Sequence, residues 1–490
     1  MNNRIFGIET EFGCLTPSDR SLGPPEVIAA RVRNHIFKNQ RLGVLDMHYR
    51  DWGEPPGNGG FLYNGGRLYI DMGHLEYATA ECRNLFELIA HDKAVEWMIM
   101  GALEKLGIKE EVSFFKNNID HFTGATFGCH ENYLVRRNVP FYEVVIPKLL
   151  PFFVTRQIFA GTGRVGCYEE RLWEFNDDDD EDNRPRFVDF QISQRADHIV
   201  TEIYEWIQFS RAIINTRDEP LADYNKYRRL HLLVGDTNMS EYAAALKVGT
   251  TSLVLDLIEK KRPLKNLGLF DHVYAIKHIS RDQSLKWIVE LESGRTISAI
   301  DLQREYLKPA QKYLKNRDSE TDWILAQWEG VLDALENDPM SLTDKIDWVA
   351  KKWLLQTFME AERLTWDDPW LESLDLEYHN IDQQKSLYYE LERKGAMQRV
   401  TTDSQIRKAI KSSPKNTRAK ARTYIMRELF RRKMPYIVDW DLIHSNFSEL
   451  FNMKDPFETY DDEVASFLKK LNKASVRPTI FKKSKRSRRY

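Results

Sequence analysis

Polar and apolar positions alternate through Arg4-Ile-Phe-Gly-Ile-Glu-Thr-Glu-Phe-Gly13, which predicts a strand. Side chains of a strand point alternately to its two faces, so Glu9 and Glu11 share one face and Ile8, Thr10 and Phe12 the other. A second segment, Arg67-Leu-Tyr-Ile-Asp71, repeats the habit: Arg67, Tyr69 and Asp71 lie on one side, Leu68 and Ile70 on the other. Glu76 follows five residues after Asp71, across Met72-Gly73-His74, where the glycine permits a bend or bulge. Both strands therefore read as a packed back and a polar front.

The period then lengthens. Leu85, Leu88, Ile89, Val95, Met98, Leu103 and Leu106 mark a long helix that Asn84 can cap and Gly107 can close. Phe114 to Asn118 and Phe127 to Tyr133 read as further strands, the latter setting His130 and Asn132 on one side. Gln191 to Asp197 ends a strand, Ile213 to Pro220 reads as a loop, and Tyr227 to Asp236 begins another strand. Ser240 to Lys260 predicts a helix, as do Ala299–Leu314, Ser319–Leu335, Thr343–Glu362 and Gln383–Gly395. Residues 412–418 resemble a domain joint. It is followed by a basic helix from Ala419, a short strand at Tyr436–Trp440 and a last helix from Asp461.

Composition narrows the class. Of 490 residues, 42% are hydrophobic and 30% charged, enough to bury a sizeable core. The net charge of −3 argues against a whole-chain nucleic-acid footprint, and no apolar run approaches a membrane span. Arg4 and Glu9 interrupt any secretory signal, and the four widely separated cysteines suit neither a disulfide framework nor a zinc site, so a cytoplasmic location is expected. The acidic run 176–183 and the basic end 482–489 read as solvated and disordered.

Two glutamates two residues apart repel unless a cation lies between them, and Mg²⁺ accepts carboxylate and phosphate oxygens alike. Arg195 and Arg217 can offer fixed, forked donors where phosphoryl charge builds up, and Glu11, His130 and His231 are further candidates for metal or phosphate contact.

Read together, Gly-Ile-Glu9-Thr-Glu-Phe-Gly, Asn-Gly-Gly-Arg67-Leu-Tyr-Ile-Asp71, Glu76-Tyr-Ala-Thr-Ala-Glu-Cys, Lys116-Asn-Asn, Gly-Cys-His130-Glu-Asn-Tyr, Ser-Gln-Arg195-Ala-Asp, Asn-Thr-Arg217-Asp-Glu-Pro and Lys-Tyr-Arg-Arg-Leu-His231 resemble the Pup ligase/Pup deamidase family. Ile8-Glu-Thr-Glu11, Ala78-Thr-Ala-Glu81 and Lys454-Asp-Pro-Phe457 resemble its ligase branch. The long loop before Arg67, His278-Ile-Ser-Arg-Asp282 and Lys394-Gly-Ala-Met397 resemble the deamidase branch.

The resemblance implies an α+β, glutamine-synthetase-like fold: a curved, mainly antiparallel sheet with helices behind it and a small C-terminal domain. The expected division is a catalytic domain 1–411, a small domain 412–475 and a tail 476–490. It also implies a reaction in which ATP activates the C-terminal glutamate of a small, disordered Pup-like modifier as an acyl phosphate, which a target-protein lysine then attacks. Glu9, Tyr69 and Glu76 fall on its magnesium positions, Arg67, Thr79 and Trp440 on its nucleotide positions, and Asp71 on its catalytic base. Depupylation or deamidation, or ligation of a small amine, are the alternative enzymatic readings; a nucleic-acid-binding tail is the non-enzymatic one.

Overall fold

The structure is a computed structural model that describes residues 4–19, 21–49, 54–121, 124–168, 187–206, 211–445 and 449–474. The acidic run and the basic tail lie outside the described residues, as does the middle of the loop before Arg67.

Among the described residues, twelve strands fill the first half: β1 (Phe6–Leu15), β2 (Gly43–Leu45), β3 (Gly59–Leu62), β4 (Arg67–Asp71), β5 (His74–Ala78), β6 (Ser113–Phe115), β7 (Cys129–Arg136), β8 (Arg164–Tyr168), β9 (Phe187–Gln191), β10 (Thr201–Tyr204), β11 (Ala212–Asn215) and β12 (Tyr227–Leu232). Ten form one sheet in the order β10-β11-β12-β7-β1-β5-β4-β3-β2, with β6 extending the end of β1. Among the described strands of this sheet only β10 and β11 run parallel. The predicted mainly antiparallel sheet is thus present, and β8 and β9 form a separate ribbon.

Two sequence expectations change in detail. Ala212–Asn215 is a strand rather than the start of a loop, because Ile213 and Ile214 are fully buried and Ile214 and Asn215 pair with β12. Residues 43–45 pair antiparallel with 60–62, so the long loop before Arg67 begins and ends on a strand pair.

Alternation decides which side chains meet helices. On one face Phe6, Ile8, Cys129, Tyr133, Val135, Leu230 and Leu232 join a core completed by helices Ile146–Ala160, Glu241–Glu259, Ala299–Leu314 and Ser319–Asn337. Phe12, Leu68, Leu75 and Tyr77 join a second core against helix Leu85–Leu106. That helix begins and ends as predicted: the Asn84 side chain accepts the Glu87 N–H, and Gly107 takes the left-handed conformation (φ 70°).

The packed face also holds charge. Glu131 accepts a forked pair from Arg156 (2.6 and 2.9 Å) and the Tyr133 hydroxyl (2.6 Å), all fully buried. Glu131→Ala strands the Arg156 cation, so unfolding in urea is expected to show a loss of about 3–5 kcal/mol. Pairing it with Arg156→Met should recover part of that loss.

After residue 411 the chain forms helix Ala419–Arg431, a three-stranded antiparallel sheet (Tyr436–Val438, Leu442–Ser445, Glu449–Asn452) and helix Asp461–Ala474. Their apolar faces share a core of their own, which Phe61 of β3 enters.

Candidate active site

The face opposite the helices carries the polar side chains. A two-residue turn, Met72 (φ 45°) and Gly73 (φ 94°), joins β4 to β5 as a tight hairpin rather than a bulge. It sets Asp71 opposite His74, Tyr69 opposite Glu76 and Arg67 opposite Ala78. Since β5 pairs in turn with β1, Glu11 lies directly opposite Glu76 and Glu9 opposite Ala78. On the other side of β1, β7 brings His130 opposite Glu9, and β12 brings His231 beside Asn132.

Two triads result. In one, the donor atoms of Glu9, His130 and His231 lie within 4.8 Å of one another; in the other, those of Glu11, Asp71 and Glu76 do. His130 Nδ1 is 3.3 Å and His231 Nε2 3.6 Å from Glu9 Oε2. His74 Nδ1 is 3.1 Å from Glu11 Oε2. The Tyr69 hydroxyl donates to Glu76 Oε1 at 2.6 Å. Gly128 makes this crowding possible, because a Cβ there would stand 2.6 Å from Glu11 Oε1 and 2.7 Å from His130 Nε2.

The electrostatics are those of too many anions in one place. Burial, then the charges of Glu9 and Glu11, push the Glu76 carboxyl well above its ordinary range. Burial and Glu11 raise Asp71 as well. Burial also acts to raise Glu9, but the imidazoles of His130 and His231 outweigh it and hold the carboxyl well below the usual range. Burial and then Arg229 depress His231 to about 4, so its ring is neutral near pH 7. Neither His231 nitrogen makes a hydrogen bond among the described residues. Hard carboxylates pressed together beside the neutral His231 imidazole fit a divalent cation, which supplies the missing positive charge and accepts both donor types.

Next to the triads lies a cleft of about 250 Å³. Glu9 and Tyr69 line one part of it; Ile5, Leu134, Pro220, Leu221, Trp440 and Pro456 supply apolar wall, with Arg67, Thr79, Glu81, Arg229 and Arg418 between. Thr79 is fixed by exchange with β1, its N–H donating to the Ile8 carbonyl and its Oγ1 accepting the Ile8 N–H. Arg67 forks onto Glu54 at 2.5 and 3.0 Å. Trp440 stands edge-on to Phe61 at 5.0 Å.

The fold therefore gathers Glu9, Glu11, Arg67, Tyr69, Asp71, Glu76, Thr79, His130, His231 and Trp440 on one face or its adjoining cleft. Arg195 is close but engaged: its two terminal nitrogens donate to the Phe127 and Leu233 carbonyls, leaving Nε without a partner among the described residues. Arg217 does not join them; its side chain is half exposed and pairs with Glu219 at 2.6 Å. Arg229, two residues before His231 on β12, lines the cleft instead.

The chain as a whole has counterparts. The family model for Pup-ligase protein matches residues 4–444. The chain belongs to the Pup-ligase family. Within it, the chain is 39% identical to a Pup–protein ligase of Nocardioides sp., over 95% of this chain and 98% of that one. It is 38% identical, with the same coverage, to a Pup–protein ligase of Mycolicibacterium smegmatis. Two solved structures of the ligase PafA are similar at 35% identity. One, in complex with the prokaryotic ubiquitin-like protein Pup, gives a TM-score of 0.81 over 96% of this chain and 93% of that chain. The other, in complex with ADP, gives 0.75 over 94% and 96%.

Four site residues of this Pup-ligase family member are not singled out by the sequence patterns. His74 could have been found, since it continues the period-two run Arg67-Tyr69-Asp71 through the hairpin to Glu76. Glu54, Arg229 and Arg418 reach the cleft only through tertiary contacts.

Proposed function

We propose that this chain is an ATP-dependent ligase that joins the C-terminal glutamate of a Pup-like modifier to a lysine of a target protein. The observation that carries the reading is the two-triad cluster opening directly onto a cleft with an apolar wall, in a chain of the Pup-ligase family. The cluster suits phosphate-bound cations and the wall suits a nucleobase.

In this reading Glu9, Tyr69 and Glu76, with Glu11, His130 and His231 beside them, hold Mg²⁺. Bound there, the cation would screen the negative charge of the nucleotide phosphates and of the transferring phosphoryl group. Arg67, Thr79 and Trp440 hold the nucleotide, and buried Arg195 and cleft-lining Arg229 add positive charge towards the phosphates. Arg217, half exposed and paired with Glu219, lies outside this set.

The modifier's γ-carboxylate attacks the terminal phosphorus of ATP, giving an acyl phosphate and ADP. A lysine ε-amine is protonated at neutral pH and must lose a proton before it can attack. Asp71 ends β4 at the hairpin, half-buried, within reach of an amine arriving from outside. Its carboxyl, raised by burial and by Glu11, is a stronger base than a free aspartate. The amine nitrogen displaces phosphate, and Asp71 carries the proton away.

No helix among the described residues is long and apolar enough to cross a membrane. Cys14, Cys82 and Cys129 are free thiols, which suits the reducing cytoplasm we assign to the protein.

Purified protein given ATP, Mg²⁺, a Glu-ending modifier and a lysine-bearing target should form an isopeptide conjugate by intact mass, with one ADP and one phosphate released per bond. The Gln-ending form should be deamidated little. Efficient deamidation, or net release of modifier from preformed conjugate, would reverse the assigned direction.

A further inference from the structure

Two of the motifs that carry the ligase resemblance, Ala78-Thr-Ala-Glu81 and Lys454-Asp-Pro-Phe457, supply no residue to either triad. The fold brings them together at the apolar side of the cleft. Glu81 follows β5 by three residues, just past Thr79, and is almost fully buried. Its Oε1 accepts from Arg418 Nε (2.6 Å) and Arg422 Nη1 (2.8 Å), and its Oε2 from Arg422 Nη2 (2.5 Å). One carboxylate thus holds two guanidinium groups, each from the start of the first helix after the predicted joint.

Each arginine then reaches a different part of the cleft wall. Arg418 donates through Nη1 to the Leu221 carbonyl (2.5 Å) and the Met453 carbonyl (3.1 Å), and its own N–H donates to the Pro456 carbonyl (3.3 Å). Arg422 donates to the Trp440 carbonyl (2.9 Å) and the Gly65 carbonyl (2.8 Å). Its guanidinium also lies 4.9 Å over the Trp440 ring and 5.1 Å over Phe61, fixing both the main chain and the ring plane of Trp440. Leu221, Trp440 and Pro456 are wall residues from segments far apart in sequence, and this cluster links all three.

We propose that Glu81 is a positioning residue which, through Arg418 and Arg422, assembles the nucleobase wall of the cleft from the C-terminal part of the chain. The proposal rests on the reading of the cleft as a nucleotide site and adds how its base end is built. The division of labour follows from β1 and the residue before it: Ile5 and Glu9 share a face of the extended chain, about 14 Å apart at ~3.4 Å per residue. Phosphates at the Glu9 end therefore leave the base beside Ile5, Leu134, Leu221, Trp440 and Pro456. Without the Glu81 carboxylate, two buried guanidinium groups face each other uncompensated, and the three wall segments lose their common anchor. Burial alone would raise the Glu81 carboxyl, but Arg422 and Arg418 bring it down to about 2, so it is ionised throughout the working range.

The test uses the full chain and two Mg²⁺-loaded probes: ADP, and inorganic tripolyphosphate, which has phosphates but no base. Glu81→Gln should weaken ADP binding by calorimetry roughly tenfold to a hundredfold, less than a directly broken buried charge pair loses, because the effect reaches the base through the wall. Its tripolyphosphate affinity should stay within about twofold of wild type, and its KM for ATP should rise while kcat holds. Equal loss for both probes, no loss for either, or a fall in kcat at unchanged KM would overturn the proposal. Should Glu81→Gln fail to unfold cooperatively, Arg418→Lys, which keeps the charge but loses the fork to Leu221 and Met453, is judged by the same two probes. If the wild-type chain binds no ADP, the nucleotide reading itself fails, and this proposal with it.

Discussion

Asp71→Asn is expected to lower the rate of conjugate formation by roughly 10²–10⁴-fold, the usual worth of a positioned general base. The substitution keeps the size of the side chain and its place opposite His74, so the hairpin should hold. It removes the group that takes the amine proton, and it also removes one anion from the Glu11–Asp71–Glu76 triad. ADP binding should therefore persist, and the loss should appear in kcat. The decisive measurement is single-turnover transfer to lysine started from preloaded enzyme, ATP and modifier. A variant that transfers at the wild-type rate would leave Asp71 without its assigned role.

Glu9→Ala should be as severe for a different reason. Glu9 belongs to one triad and acts on the other: His130 and His231 face it, and its charge is a leading cause, after burial, of the raised Glu76 carboxyl. Its removal deletes a ligand and leaves two imidazoles without their carboxylate. Mg²⁺-dependent ATP turnover should fall to background, and the rise in thermal midpoint that Mg²⁺ and ADP give the wild type should vanish. Glu9 is on the polar face, so the apo chain should unfold cooperatively near the wild-type midpoint. Wild-type turnover in this variant would take Glu9 out of the metal site.

Much of the site was readable because it is built on strands. Period-two alternation places Glu9 with Glu11 and Arg67 with Tyr69 and Asp71, and the structure keeps both sets on one face. What alternation could not supply is which strands are neighbours. That β1 runs between β5 and β7, so that Glu11 meets Glu76 on one side and Glu9 meets His130 on the other, is a property of topology. The turn after Asp71 was read as a bend or bulge because Gly73 alone signals positive φ, yet Met72 adopts it too and closes a tight hairpin. Long helices with strong stripes, such as Leu85–Leu106 and Ala299–Leu314, were legible from start to finish. Short ones, His272–Arg281, Pro369–Tyr378 and Asp403–Lys411, were not, since ten residues or fewer give less than three periods to read. Arg217, a suitable residue type in a suggestive loop, is instead held by Glu219 at the surface. Charge type alone does not fix where a long side chain goes.

The two triads also differ in how much chain each demands. Glu11, Asp71 and Glu76 all belong to β1 and the β4–β5 hairpin, so the first 78 residues contain every donor of that triad. The Glu9 triad must wait for His130 and then for His231, whose strand pairs with β7 across a separation of nearly a hundred residues. Distant pairings come late because their loops must close before any contact rewards them. During synthesis the acidic half of the centre can thus be complete while the imidazoles of His130 and His231 are still unmade, and three crowded carboxylates would stand together with the His74 ring beside Glu11 and neither of the other two imidazoles. A nascent chain of this protein would be at its most dependent on dissolved cations over that interval, well before it has an activity to lose.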